Sequence, residues 1–158
     1  MLQRYPVTPA GHLRLKKELR QLIEVERPAV VLAIEEARAH GDLSENAEYD
    51  YAKDKQGMIE AKIRDLDAKL GMAEVIDPAQ LKGDRVMFGA TVKLEDIDTG
   101  DELEYQLVGS FESDLKVNRI SIESPIGRAL MGKEEDDEVT ITVPKGSRTV
   151  VITGVEYK

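Results

Sequence analysis

The sequence predicts an α+β protein in two parts: an antiparallel helical hairpin, followed by a small domain built on a mostly antiparallel β-sheet. Apolar residues recur at helical spacing through the first half, and they alternate in the second half. A proline at position 78 separates the two patterns, because the residue before a proline is disfavoured in a helix. We therefore expect a coiled-coil rod at residues 1–76 with a tip at 41–48, a linker at 77–83 and a globular domain at 84–158.

The first helix is predicted to begin at Thr8 and Pro9, because threonine caps helix N-termini and proline fits the first helical position. Its apolar seam contains one step of eight residues, which is a stutter that locally unwinds a coiled coil. Pro28 lies in the same turn, so we expect a bend near Glu26. The seam residues are Leu15, Leu19, Leu22, Val30, Ala33 and Ala37.

The second helix has a regular heptad pattern, in which a row of apolar residues alternates with a second, mostly apolar row. Gly41 is predicted to stop the first helix, and Ser44 and Asn46 are candidate caps for the second. Helices joined by so short a loop must be antiparallel, and about 30 residues in each give a hairpin of roughly 45 Å. The two rows are Ala52, Ile59, Leu66 and Ala73, and Gln56, Ile63 and Leu70.

Short strands and one short helix are predicted in the second half. Turn residues separate the strands, and the helix begins with Ser124 as its cap and Pro125 at its first position. The predicted strands are residues 86–97, 103–108, 120–122, 139–143 and 149–155.

Composition excludes several classes of protein. The 158 residues include no cysteine, which excludes disulfides, thiol nucleophiles and cysteine-ligated metals. No apolar run approaches the roughly 20 residues that span a bilayer, and the N-terminus lacks a signal-peptide core, so we expect a soluble, cytoplasmic protein without a membrane partner. The net charge of −9 argues against a surface that wraps nucleic acid, and solubility is its simpler interpretation.

Carboxylates are concentrated at the predicted tip. Asp42, Glu45 and Glu48 lie within seven residues, and Asp50 and Asp54 follow. Helix dipoles and solvation explain such acids without any function. A carboxylate pair on an exposed turn also suits Mg²⁺, which prefers oxygen ligands. Spacing alone leaves both interpretations open.

Two carboxylates cannot complete the six-ligand shell of Mg²⁺, so an isolated enzyme is not expected. The missing ligands would come from water, a phosphate or another protein. His40 stands beside the turn and is expected to pack as an ordinary loop residue rather than to bind metal. The pattern favours a rod that carries a carboxylate pair into the active site of another protein.

Two long segments of the chain resemble signatures of the GreA/GreB family of bacterial transcript cleavage factors. Residues 37–49 (ARAHGDLSENAEY) resemble the tip signature, and residues 120–130 (ISIESPIGRAL), continued by GKEEDD at 132–137, resemble the second signature. Residues 85–92 (RVMFGATV) resemble the family's opening strand. The resemblance covers essentially the whole chain, and the net acidic first half is similar to the GreA type rather than the GreB type.

The resemblance implies a coiled coil followed by an FKBP-like domain, in a monomeric factor that binds bacterial RNA polymerase. The rod would enter the secondary channel, and the domain would dock at its rim. The factor would stimulate the polymerase's own cleavage of backtracked nascent RNA near the 3′ end. Asp42 and Glu45 match the catalytic acids and would share a Mg²⁺ with the polymerase, whereas the free protein would bind no metal tightly.

Two weaker matches concern positive charge beside the tip. Arg38 and Lys53 match basic residues that approach the RNA 3′ segment. Surface pairs with Glu35, Asp50 or Asp54 at helical spacing explain the same two residues equally well.

The resemblance also implies a docking segment, since Glu123, Ser124 and Pro125 match positions implicated in binding the polymerase rim. A serine followed by a proline would cap a helix in any protein, and both roles can hold.

Three alternatives give the chain a different function. A paralogue that enters the channel and inhibits would need an altered tip, whereas this tip retains both matching acids. A peptidyl-prolyl isomerase comes from another class, but fold does not imply function. Its pocket would need several aromatic residues, and the second half has only Phe88, Tyr105, Phe111 and Tyr157. A coiled-coil adaptor would bind polymerase without stimulating cleavage.

Overall fold

The computed structural model describes residues 4–41, 46–144 and 146–158. Contacts divide the chain into a helical unit, His12–Met72, and a globular unit, Met1–Gly11 with Ala73–Lys158. The predicted α+β class is confirmed. Among the described helices, none is long and apolar enough to cross a membrane.

The helical unit is an antiparallel hairpin. Its first arm consists of α1 (Pro9–Gln21), a single π-helical turn (Leu22–Glu26) and α2 (Arg27–Ala39). The second arm is α3 (Ala47–Met72). Thr8 caps α1 as predicted, since its Oγ1 accepts a hydrogen bond from the Gly11 N–H at 3.1 Å.

A π-helical turn forms where the sequence predicts the stutter. The Arg27 N–H donates to the Leu22 carbonyl, five residues back, so one extra residue is accommodated without breaking the helix. Pro28 follows this turn after Arg27, within a continuous helical backbone. In a regular α-helix the ring of Pro28 would meet the carbonyl of Glu24, and Glu24 lies within the π-helical turn.

The buried face of the hairpin follows the predicted seam with a few differences. Ile34 is buried, whereas the predicted Ala33 is exposed, because burying the larger side chain removes more apolar surface from water. Leu19, Gln56 and Leu70 are only half-buried. The buried residues are Leu15, Leu22, Val30, Ile34 and Ala37 in the first arm, and Ala52, Ile59, Ile63 and Leu66 in α3.

The hairpin ends before the predicted boundary at residue 76. After Met72 the chain forms β2 (Ala73–Val75), which pairs in parallel with β1 (Tyr5–Val7) in a two-stranded sheet. Val7 is fully buried, and its carbonyl accepts a hydrogen bond from the Ile76 N–H at 2.8 Å. Ala73 therefore does not extend the helical seam, because pairing with β1 satisfies its backbone instead.

The globular unit is built on a five-stranded sheet with the order β5-β4-β3-β7-β6. Only β4 and β5 pair in parallel within it, so the predicted, mostly antiparallel sheet is confirmed. A turn at Gly89, with φ of +88°, delays the first of these strands relative to the predicted start at residue 86. The strands are β3 (Ala90–Asp96), β4 (Glu102–Val108), β5 (Arg119–Ser121), β6 (Glu138–Val143) and β7 (Gly146–Tyr157).

One helix, α4 (Pro125–Leu130), packs against the core of this sheet. Three 3₁₀ turns, at Pro78–Gln80, Ser110–Glu112 and Leu115–Val117, were not predicted from the sequence. The core is aliphatic and consists of Val86, Ala90, Val92, Leu94, Leu107, Ile120, Leu130, Val139, Ile141, Val150 and Ile152.

Candidate functional site

The first arm of the hairpin ends in a helix stop built from backbone hydrogen bonds. The N–H groups of His40 and Gly41 donate to the carbonyls of Ala37 and Arg38 at 3.2 and 3.0 Å. Gly41 has a φ of +99°, a conformation that favours glycine because it carries no Cβ. The predicted stop at Gly41 is confirmed.

The second arm begins at Asn46, whose side chain contacts both helices. Its Oδ1 accepts a hydrogen bond from the Tyr49 N–H at 3.0 Å and so caps α3. Its Nδ2 donates to the Ala37 carbonyl of α2 at 2.7 Å. Asn46 is thus one of the two predicted caps, and the other, Ser44, lies outside the described residues.

The two predicted catalytic acids, Asp42 and Glu45, also lie outside the described residues. Gly41 directly precedes the first acid in the sequence, and Asn46 directly follows the second. The structure therefore describes the end of α2 and the start of α3, which flank the carboxylate pair in the sequence.

Further carboxylates lie on the first turns of α3, where the helix dipole favours negative charge. Glu48 Oε2 lies 3.2 Å from Nδ1 of His40, and both side chains are exposed. His40 therefore contacts a carboxylate across the hairpin instead of packing within the loop as predicted. Among residues 4–41, 46–144 and 146–158, no three acidic or histidine side chains form a group that could hold a metal ion.

The two predicted basic residues lie on opposite arms near the tip, and both are exposed. The guanidinium carbon of Arg38 lies 6.0 Å from the centre of the Tyr49 ring, within the range of a cation–π contact. Lys53 Nζ donates to Gln56 Oε1 at 3.3 Å. In the described part of the chain, neither residue pairs with the nearby acids of its own helix.

A bidentate ion pair joins the two arms farther from the tip. Arg27 Nε and Nη2 donate to the two carboxylate oxygens of Glu60 at 2.7 and 2.9 Å. These hydrogen bonds lower the pKa of Glu60 and raise the pKa of Arg27. The sequence pattern did not predict this pair, because the partners are 33 positions apart and meet only when the hairpin closes.

The predicted docking segment precedes α4 in the globular unit. Ser124 Oγ accepts a hydrogen bond from the Gly127 N–H at 3.0 Å and donates to the Ser121 carbonyl at 2.6 Å. The predicted helix cap is thus confirmed, while Glu123 and Pro125 are exposed. Gly127 is required for this packing, because a Cβ there would lie 2.0 Å from the Ser121 oxygen.

A groove of about 630 Å³ lies beside this segment. Its walls include Leu115, Pro125 and Ile126, and Lys116 and Arg119 add positive charge. Sequence reasoning missed the groove, because one wall is a 3₁₀ turn that ends at Asn118 in the left-handed conformation (φ of 57°).

A buried carboxylate in the globular unit was also missed. Glu112 accepts hydrogen bonds from the N–H and the Oγ1 of Thr8, both at 2.6 Å, and is almost fully buried. No sequence periodicity marks Glu112, since its partner precedes it by 104 residues.

These features define a class of two-part proteins. A helical hairpin carries acidic residues in the segment between its arms, and a sheet domain has a capped helix beside a groove. The chain belongs to the GreA/GreB family of transcription elongation factors. The family described as "Transcription elongation factor, N-terminal" matches residues 5–75, and "Transcription elongation factor, GreA/GreB, C-term" matches residues 80–157.

Known relatives match over nearly the full chain. Transcription elongation factor GreA of Hyphomonas neptunium is 52% identical over 99% of this chain and 100% of its own. The GreA of Psychrobacter arcticus is 53% identical over 99% of both chains. A crystal structure of GreA factor homolog 1 from Thermus thermophilus is 27% identical over 98% of this chain and 99% of its own, with a TM-score of 0.45.

Proposed function

We propose that this protein is a transcription elongation factor that binds bacterial RNA polymerase and stimulates the polymerase's own cleavage of backtracked RNA. The observation that carries this proposal is the hairpin, whose two arms flank the segment of the sequence that contains Asp42 and Glu45. The factor acts in the cytoplasm as a monomer. The inhibitory and isomerase alternatives are not favoured, since the two relatives that are more than 50% identical are named as transcription elongation factors.

The length of the hairpin would allow its tip to extend deep into the polymerase. The 26 residues of α3 correspond to about 39 Å at 1.5 Å per residue, enough to extend along a narrow channel such as the secondary channel of the polymerase. The buried aliphatic seam and the Arg27–Glu60 pair hold the two arms together. The two arms would therefore enter the channel together, with the tip at their end.

The donor set of the tip suits Mg²⁺, because carboxylate oxygens are the ligands this ion prefers. Asp42 and Glu45 would hold a Mg²⁺ shared with the polymerase. When bound, such an ion supplies Lewis-acid charge and a more acidic water for phosphodiester cleavage. The chain contributes two carboxylates, so the free protein binds the ion weakly and completes a site only in the complex.

We propose that Arg38 and Lys53 meet the RNA 3′ segment, and their exposure near the tip supports this. Both are exposed near the tip, and in the described part of the chain neither is neutralised by an ion pair. Phosphates attract such charges without reading sequence.

The segment Glu123, Ser124 and Pro125 is the proposed contact with the polymerase rim. The hydrogen bonds of Ser124 fix this segment in front of α4, and the exposed Glu123 and Pro125 present a polar and an apolar surface. This second contact raises the effective concentration of the tip in the channel.

Two substitutions test the role of the acids. Asp42→Asn and Glu45→Gln should each reduce stimulated cleavage by at least about tenfold, because each removes a charged ligand from the shared site. Folding and polymerase binding should be retained, since substitutions of one polar side chain by another in the predicted tip should cost little stability. The measurement is the release of 3′ RNA fragments from a stalled, backtracked elongation complex with Mg²⁺.

Glu48→Gln is the matched control, because it removes a carboxylate close to the tip that contacts His40. This variant should retain most of the stimulation. Equal cleavage by the wild type and by both tip variants would contradict the proposed role of Asp42 and Glu45.

A further inference from the structure

Asn46 uses both ends of its amide, and the two partners fix which end faces which helix. Its Oδ1 faces a donor, the Tyr49 N–H, at 3.0 Å, and its Nδ2 faces an acceptor, the Ala37 carbonyl, at 2.7 Å. A rotated amide would place donor against donor and acceptor against acceptor. Capping alone needs only the oxygen, which aspartate or serine also supplies. The bond to α2 needs the amide nitrogen.

The Ala37 carbonyl lies in the last turn of α2, where carbonyls lack partners within the helix. It accepts the His40 N–H at 3.2 Å and the Asn46 amide at 2.7 Å. Asn46 is half-buried at this position. Its side chain thus joins the end of one arm to the start of the other at the base of the tip.

Among the described residues, fully buried apolar packing ends at this part of the hairpin, and nearer the tip the half-buried Tyr49 lies under Arg38. The last buried residues before the tip are Ala37 on α2 and Ala52 on α3. Beyond them, the contact between His40 and Glu48 is exposed, and exposed ion pairs contribute little. The hydrogen bond from Asn46 Nδ2 to the Ala37 carbonyl is a part-buried polar contact that joins the arms here, whereas the bond to the Tyr49 N–H lies at the start of α3 itself.

We infer that Asn46 is a positioning residue for transcript cleavage, because its amide sets the spacing of the two helix ends that flank the segment containing Asp42 and Glu45. This inference rests on the proposed function. Ligands of a shared metal must be placed to within about 0.5 Å, and a misplacement of about 1 Å can lower a rate by roughly a hundredfold. Loss of one amide donor is therefore expected to reduce catalysis more than stability.

The test uses Asn46→Ser and Asn46→Asp in the full-length factor. Both variants keep an oxygen that can cap α3, and both lose the amide donor to Ala37. Only the aspartate adds charge, so agreement between the two variants excludes a charge effect. Asp65→Asn is the surface control, since it removes the exposed partner of Lys69 on the same helix.

The maximal rate of RNA cleavage should fall at least about tenfold in both Asn46 variants. The factor concentration that gives half-maximal stimulation and the thermal unfolding temperature should match those of the wild type and of Asp65→Asn. Asp42→Asn is measured in parallel and should also lose stimulation. A wild-type maximal rate in both Asn46 variants would overturn the inference, and so would a change confined to half-maximal concentration or unfolding temperature. A wild-type rate in Asp42→Asn would instead overturn the proposed function.

Discussion

At the scale of single residues, the Arg27–Glu60 pair couples the hairpin to pH. The guanidinium donates two hydrogen bonds to the carboxylate, and this lowers the pKa of Glu60 below its ordinary value of 4.5. The side chains of both partners are more than one-third exposed, 38% and 36%, so solvent screens much of the attraction. The pair therefore contributes modestly to stability. The pH dependence of the free energy of unfolding separates this contribution from the others.

We expect the stabilisation from this pair to be complete well above pH 4.5 and to decline as the pH falls through the lowered pKa of Glu60. The sign follows because the unfolded chain takes up the proton at a higher pH than the folded chain. Urea unfolding followed by circular dichroism between pH 7 and pH 3 measures the effect. Glu60→Gln is the control, and its stability should fall less steeply in this range. Parallel pH profiles for the two proteins would contradict the prediction.

At the scale of elements, the π-helical turn reconciles two features of the first arm. It absorbs the eight-residue step between Leu22 and Val30, which would otherwise rotate the seam away from α3. It also contains Glu24, whose carbonyl the Pro28 ring would meet in a regular α-helix. The bend expected near Glu26 stays a prediction, and the feature that the structure shows there is a local change in hydrogen bonding.

Pro28→Ala should therefore change the free energy of unfolding by less than about 1 kcal/mol, because the π-helical turn before Pro28 already accommodates the missing N–H and the proline ring. Ala33→Pro is the comparison variant, because Ala33 is exposed and lies in the middle of α2. That substitution should cost about 3 kcal/mol, since it removes a bond and its ring meets the preceding turn. Thermal and urea unfolding of both variants test the contrast, and a large effect of Pro28→Ala would show that the π-helical turn does not accommodate the proline.

At the scale of the whole molecule, the globular unit combines two segments of the chain, one before the hairpin and one after it. Residues before the hairpin supply β1 and the buried Val7, and residues after it supply the main sheet. Glu112 joins the two segments through the N–H and hydroxyl of Thr8. Gly109 permits the close approach, because a Cβ there would lie 2.0 Å from the Pro6 oxygen.

Glu112→Ala should destabilise the globular unit by about 1–3 kcal/mol, because two buried donors of Thr8 lose their acceptor. Glu112→Gln keeps one oxygen acceptor and should cost less. Urea unfolding gives the free energies, and hydrogen exchange at residues 5–8 should increase in Glu112→Ala. Unchanged exchange in this segment would show that strand pairing alone holds it in place.

Local signals accounted for much of the fold and part of the candidate site. Thr8, Asn46 and Ser124 were predicted as caps because the signal is a polar residue at a helix start, and each makes that bond. The same reasoning could not predict that Asn46 also reaches Ala37, or that Arg38 lies over Tyr49, since those partners are on the opposite arm. The roles assigned to Asp42 and Glu45 stay predictions from the family resemblance.

The sequence by itself determined the helical periods, the caps, the stutter, the alternating strands and the family to which the chain belongs. These features depend on residues a few positions apart, whose preferences act before any distant contact forms. Only the tertiary structure decided that β1 pairs with β2, that Glu112 is buried against Thr8, and that Arg27 meets Glu60. Each of these contacts joins residues more than 30 positions apart, and their energies exist only once folding has brought the partners together.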